Sequence, residues 1–302
     1  MTDTIIHCLL VLLMPPLLLG VIAKTKAAFA GRTGAPYMQP YYDLLKLLRK
    51  GSVFSETTTW VFRAGPVITL AATVVAASMV PLGNHPSPVS FNGDMILFAY
   101  LFGLARFFTT SAALDTGSSF EGMGAAREVT FSCLAEPTLF FALITLARMS
   151  KSLSLSSMLA HATASTWLGA GATMLLLVGA LFIILLAENC RIPFDDPNTH
   201  LELTMIHEVM VLDHSGPAFG YILYGAAMKL FVLGALFVNI AMPIETGRTF
   251  ADWGIFIACM LVLAVVIGVV ESVMARLRLV RIPQLLVAAT ILSAFALLLT
   301  LR

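Results

Sequence analysis

"PAFGYILYGAAMKLFVLGALFVNIAM", residues 217–242, carries a single charge, Lys229, near its middle. A bilayer core is crossed by about 20 apolar residues of helix, so length and composition both read this run as a transmembrane helix. Outward from it, seven further runs reach comparable length: 4–23, 60–81, 93–114, 128–148, 166–187, 253–272 and 283–301. The whole chain of 302 residues is 59% hydrophobic and 12% charged, with mean hydropathy +0.91. Soluble domains carry roughly 25% charged residues. The expected fold is therefore an all-α integral membrane protein of eight transmembrane helices, with residues 1–302 as a single polytopic domain. Pro15-Pro16 lies inside the first run and predicts a kink or break there. No basic n-region and no small-residue cleavage site precede that run, so it reads as a retained span and not a signal peptide. A net charge of +1 offers no field for nucleic acid; the first partner of this surface is the lipid bilayer.

Even span number puts both termini on one side, and Lys and Arg choose the side. Loops after spans 1, 3, 5 and 7 hold Lys24, Lys26, Arg32, Lys46, Arg49, Lys50, Arg127, Arg191, Arg276, Arg278 and Arg281, which makes eleven. The opposite side holds Arg148, Lys151, Arg248 and Arg302, which makes four. This bias predicts cytoplasmic odd-numbered loops and both termini on the outer side of a cell's inner (cytoplasmic) membrane. Within the first loop, "PYYDLLKLLRK" sets Tyr41, Leu44, Leu45 and Leu48 at i, i+3, i+4 and i+7, with Asp43, Lys46 and Lys50 on another face. That spacing predicts a short amphipathic helix at the interface or under a partner.

Few charges remain inside the spans, and they are the informative ones. Mid-membrane charge costs at least ~2.5–3.5 kcal/mol on insertion scales, so such residues pair, face a wet cavity or relay protons. Glu128 opens span 4 and Glu136 follows eight residues later, about 12 Å along the same helix. That separation suits a water-linked series better than direct transfer. Lys229 is the leading candidate for an intramembrane base, with Glu136 or Glu271 as the expected carboxylate partner; a structural ion pair is the plainer reading of it. Arg106 is a further intramembrane charge, whereas Arg63 and Glu271, near span ends, read as snorkelling.

Residues 188–217, "ENCRIPFDDPNTHLELTMIHEVMVLDHSGP", concentrate carboxylates in one loop: Glu188, Asp195, Asp196, Glu202, Glu208 and Asp213. Thr199 and Glu202 fit a capping box, a role compatible with proton handling by Glu202. "HEVMVLDH" fails the metalloprotease motif because His207 and His214 are seven apart, not four, although they could share a helix face. "DTGS" at 115–118 occurs once, whereas an aspartic protease needs two facing copies. The four cysteines, Cys8, Cys133, Cys190 and Cys259, form no C-x-x-C pair. Their scatter argues against a disulfide framework and against a bound metal or Fe–S site. No complete catalytic site is visible.

"ENCRIPFD", the acidic stretch after it and "DHSG" resemble the signature loop of the NADH dehydrogenase subunit 1 family, E-x-x-R/K-x-P-F-D followed by several Glu and E-Y-S-G. "GRTGAPYMQPYYDLLKLL" is similar to that family's R-x-G-P…Q-x-Y-x-D-x-x-K-L segment. "LARFFTTSAALDTGSSFEGMGAAREVTFSCLAEP" is more similar to one branch, the membrane subunits of formate hydrogenlyase (subunit 4) and hydrogenase-4 (component C). The likeness covers nearly the whole chain and agrees with eight spans. It departs where the family has Glu and this chain has Asn198 and His200, and where "DHSG" replaces E-Y-S-G.

The resemblance implies that loops 1, 3 and 5 form a floor for a peripheral redox arm. That arm would consist of hydrogenase-like large and small subunits and an Fe–S subunit, with antiporter-like subunits alongside in the membrane. It implies a proton path through Glu128, Glu136, Glu188, Asp195, Glu202 and Asp213, to which Glu208 and Lys229 are added here, with Arg127, Arg191 and Arg106 as charge partners. No cofactor would bind this chain directly; Ni–Fe and Fe–S centres would sit in the partners. Two functions stay open. One is an ion-translocating anchor of a hydrogenase-4-like or formate hydrogenlyase complex, coupling redox chemistry to ion movement. The other is a quinone-site subunit of a complex I-like oxidoreductase, with Arg32, Gln39, Asp43 and Lys46 at a quinone cavity or docking loop. A stand-alone transporter would need an internal repeat, and none is evident.

Overall fold

The computed structural model describes residues 2–195, 205–243 and 246–301. Its helices are α1 (Thr2–Phe29), α2 (Gln39–Leu48), α3 (Trp60–Met79), α4 (Asp94–Asp115), α5 (Ser119–Ser150), α6 (Leu155–Ala160), α7 (Ala164–Glu188), α8 (Gly216–Ala241), α9 (Thr249–Val273) and α10 (Ile282–Leu299). All except α2 and α6 are long and apolar enough to cross a bilayer, making eight among the described residues. The fold class read from the hydropathy pattern is the one observed.

Two local expectations are corrected. Helix α1 is continuous through Pro15 and Pro16, so the chain does not break there. Pro16 has no N–H for the carbonyl of Leu12, which a lipid environment would leave unpaired. The Tyr224 hydroxyl donates to that oxygen at 2.9 Å, and the Tyr41 hydroxyl donates to the neighbouring carbonyl of Leu13. The Tyr224 hydroxyl thus replaces what Pro16 removes at Leu12, and the helix runs on. The second correction is α5, which starts at Ser119, nine residues before the expected span. Gly124 and Ala125 explain the early start: a Cβ on Gly124 would run into Val209 and Met210, so the small residue lets a 3-10 turn, Glu208–Val211, lie against the helix.

Helix α8 is the most buried span and packs on α1, α3, α7 and α9. Lipid tails offer little hydrophobic drive between helices, so small residues that allow close approach matter. Gly234 is one: a Cβ there would meet Leu263 and Met260 of α9 at 3.2 Å.

At one end of the bundle, loops 1, 3 and 5 are tied together. Asp115, the acid of "DTGS", accepts from the backbone N–H of Thr59 at 2.7 Å and of Phe62 at 3.3 Å, so it holds the start of α3. Ser215 Oγ accepts from Val53 N at 3.0 Å and donates to Val53 O at 3.1 Å. His214 stacks on Phe62 with ring centroids 3.9 Å apart. Glu121, fully buried, accepts the backbone N–H of Asp213 at 3.0 Å.

Candidate functional site

Arg106 projects from the middle of α4 into a group of three carboxylates. Its Nη2 lies 2.7 Å from both oxygens of Glu188, its Nη1 pairs with Glu136, and its Nε is 3.5 Å from Glu128 Oε1. A guanidinium offers five donors in a planar fork, so one arginine can bridge carboxylates a helical stretch apart. Lys229 Nζ is 2.7 Å from Glu188 Oε2. Helices α4, α5, α7 and α8 therefore meet in one charged cluster of two cations and three carboxylates.

Lys229 does find a carboxylate, but not Glu136 or Glu271 as expected. Glu188, at the C-terminal end of α7, is brought in by the packing of α7 on α8, a relation that sequence position does not display. Glu271 corrects the snorkelling reading: it is 4% exposed and pairs with Lys26 at 2.9 Å and Arg191 at 3.3 Å. Among the described residues Arg191 pairs with Glu271. Exposed Arg63 lies over the Phe54 ring, as a residue at a span end can.

Other candidates act as clamps in the described chain. Asp195 is buried, with Oδ1 2.8 Å from Arg276 Nη2 and Oδ2 accepting from Ile206 N at 2.9 Å. Arg127 Nη1 donates to Met205 O at 2.8 Å. Both thus hold the segment Met205–Ile206. Glu208 begins the 3-10 turn, half-buried, and Asp213 is exposed. Glu202, with Thr199, Asn198, His200 and the capping box, lies outside the described residues. His207 and His214 share no helix face, because only the 3-10 turn Glu208–Val211 separates them and their rings reach different partners.

His207 Nδ1 sits 3.1 Å from Cys190 Sγ and 3.2 Å from Glu128 Oε2. Burial opposes charge on this imidazole, yet the Cys190 sulfur and the Glu128 carboxylate together outweigh it and hold the ring's pKa well above its ordinary value. Burial pushes the Cys190 thiol up. Cys190 had no visible role in the sequence, since its neighbours come from 62 residues before and 17 residues after it. Glu121 was also missed; its one sequence signal is a spacing of seven from Glu128.

Helix α2 carries the expected amphipathic face. Tyr41, Leu44, Leu45 and Leu48 line a cleft of about 410 Å³ against α1 and α8. Gln39 and Asp43 bond to each other at 2.9 Å, and Asp43, Lys46 and Arg32 point outward as exposed residues. The polar group proposed for a quinone cavity thus does not line this cleft; the apolar face does.

The sequence model of the family described as NADH dehydrogenase matches residues 2–301. Formate hydrogenlyase subunit 4 of Escherichia coli (strain K12) is 32% identical over 288 residues, covering 93% of this chain and 92% of that protein. Hydrogenase-4 component C of the same strain is 31% identical, covering 86% and 79%. Among solved structures, a chain of the membrane-bound sulfane sulfur reductase, an archaeal respiratory membrane complex, superposes with a TM-score of 0.84. That likeness, at 22% identity over 99% of this chain and 98% of the other, concerns the fold.

Proposed function

This chain belongs to the NADH dehydrogenase family, and on that premise we propose that it is the membrane-anchoring, proton-translocating subunit of an energy-converting complex of the formate hydrogenlyase and hydrogenase-4 kind. Residues 1–302 act as one polytopic domain in a cytoplasmic membrane, with odd-numbered loops inside and termini outside. Electrons stay on Ni–Fe and Fe–S centres of peripheral subunits that dock on the joined loops 1, 3 and 5. Antiporter-like subunits continue the ion route in the membrane.

The observation that carries this reading is the sharing of Arg106 and Lys229 among Glu128, Glu136 and Glu188. Glu128, Glu136 and Glu188 share Arg106, Lys229 and the His207 imidazole, with Arg106 divided among all three, so a small movement of one cation changes which carboxylate holds a proton. Loop 5 supplies that movement: Glu188 ends α7, three residues before Arg191, and Glu128 touches His207. Redox-linked shifts of a docked partner would reach the cluster by this connection. The test is Glu188→Gln in the assembled complex: electron transfer to an artificial acceptor should persist while membrane-potential formation is lost. Full potential formation in this variant overturns the reading.

A second reading, a quinone-site subunit, is favoured by the cleft between α1, α2 and α8. Its apolar lining suits the isoprenoid chain of a quinone. Relatives named as subunits of NADH-quinone oxidoreductase, from Anaplasma phagocytophilum and Bordetella avium, are 25% and 26% identical. Co-purification of nickel supports the first function, and of stoichiometric quinone the second.

A further inference from the structure

Three potential metal ligands from three segments converge at the loop-5 end of α5 and α7. Cys190 Sγ, His207 Nδ1 and a Glu128 oxygen all lie within 4.8 Å of one another, with the imidazole nitrogen 3.1 Å from the sulfur and 3.2 Å from Oε2. Around a tetrahedral zinc ion, with bonds near 2.0–2.3 Å, donor atoms stand roughly 3.3–3.6 Å apart. The triangle is therefore within a few tenths of an ångström of closing on an ion along two of its edges. Glu128 divides its oxygens, Oε1 toward Arg106 and Oε2 toward His207, so coordination through Oε2 leaves the arginine contact intact. A neighbouring cavity of about 20 Å³, lined by Glu128, Glu188 and Cys190, has room for one water, which would complete four-coordination. Cys190 itself has φ of +47°, a backbone conformation that favours glycine or asparagine.

We propose that Glu128, Cys190 and His207 form a binding site for a thiophilic divalent transition metal of the zinc(II) class. The sulfur, nitrogen and oxygen donors select such an ion over magnesium or calcium, which take oxygen ligands. Binding involves no electron transfer. The Cys190 thiol and the His207 imidazolium each release one proton to solvent, Nδ1 then binds through its freed lone pair, and the thiolate and carboxylate charges balance the two of the ion. Occupancy withdraws Glu128 Oε2 from its neighbours, and so, resting on the function proposed above, slows ion movement through the Arg106 cluster.

The test uses the full-length chain in detergent with Cys8, Cys133 and Cys259 replaced by serine, leaving Cys190 as its one thiol. Cobalt(II) added to this protein should give thiolate-to-cobalt charge-transfer absorption with a tetrahedral visible band, at one ion per chain, and zinc(II) should abolish both. Cys190→Ser should lose the charge-transfer band and His207→Gln should weaken binding, each with helical circular dichroism unchanged. Absence of the charge-transfer band in the folded Cys190-only protein overturns the site, as does full binding in Cys190→Ser. Should cobalt bind as described while zinc leaves potential formation by the assembled complex untouched, the metal site stands and the place of Glu128 in the ion path falls.

Discussion

Lys229 Nζ and Glu188 Oε2 lie 2.7 Å apart, and the same carboxylate is gripped by Arg106 at 2.7 Å from the other side. Lys229 is therefore the replaceable cation of the pair: when it withdraws, Glu188 keeps a charged partner. Lys229→Met removes the charge while keeping length and apolar bulk, so the helix should insert at least as readily as the wild type. The complex should assemble and turn over with an artificial donor or acceptor, while membrane-potential formation is lost. Normal potential formation would make Lys229 a bystander, and disassembly would make it a structural ion-pair member.

Arg106 is expected to behave differently, because three carboxylates depend on it. Arg106→Gln removes the one cation common to all three, leaving Glu188 to Lys229 and Glu128 to His207, and breaking the buried part of such a network costs on the order of 3–5 kcal/mol. The variant should accumulate poorly or melt far earlier in detergent. Arg106→Lys restores charge but not the planar fork, so it should rescue accumulation only in part. Wild-type melting behaviour in Arg106→Gln would show that the cluster is wet enough to need no cation.

Asp195 joins Arg276 and the backbone of Ile206, and both contacts use its charge. Asp195→Asn should cost about 1.5–3 kcal/mol, the worth of charge-assisted bonds. It should show as weakened docking of peripheral subunits, measured by co-purification. Intact docking with slowed ion movement would return Asp195 to the proton path.

Orientation can be read independently. A single cysteine introduced at Asn198 should be labelled by impermeant thiol reagents only after the cytoplasmic face is exposed, as the Lys and Arg bias requires. Labelling from the outside would reverse the topology.

Much of the fold was legible because membrane spans announce themselves locally. Nineteen or twenty apolar residues in a row need no partner to be recognised, and α2 declared its apolar face through Tyr41, Leu44, Leu45 and Leu48. Partner choice was another matter. Lys229 was visible as an intramembrane cation, but Glu136 and Glu271 were the expected partners, and only the packing of α7 on α8 brings Glu188 to it. Glu271 looked like a span-end residue because hydropathy cannot tell a helix end facing lipid headgroups from one facing Lys26 and Arg191. The convergence of Cys190, His207 and Glu128 has no sequence pattern, since the three come from helix α5 and two separate positions of loop 5. Even the proline pair misled for a physical reason: the Leu12 carbonyl that Pro16 leaves unpaired is met by the tyrosine hydroxyl of Tyr224 on α8.

His214 supplies the last prediction. Its imidazole stacks on Phe62 and is buried, with Nδ1 meeting no hydrogen-bond partner, and burial lowers its pKa to about 4 from an ordinary 6.5. A base whose folded pKa is depressed takes up a proton first in the unfolded chain. Above pH 6.5 neither state is protonated, and His214 adds no pH dependence. As pH falls from 6.5 toward 4, the unfolded state gains a proton that the folded state refuses, so stability declines across that window. Full titration is worth roughly 3 kcal/mol. His214→Phe preserves the stack, leaves no unpaired nitrogen and cannot titrate. Its melting temperature should match the wild type at neutral pH and exceed it increasingly as the detergent-purified protein is acidified toward pH 4. Parallel melting curves for the two proteins across this range would show that the His214 ring is open to water, and that loops 1 and 5 are not held together there by a dry aromatic contact.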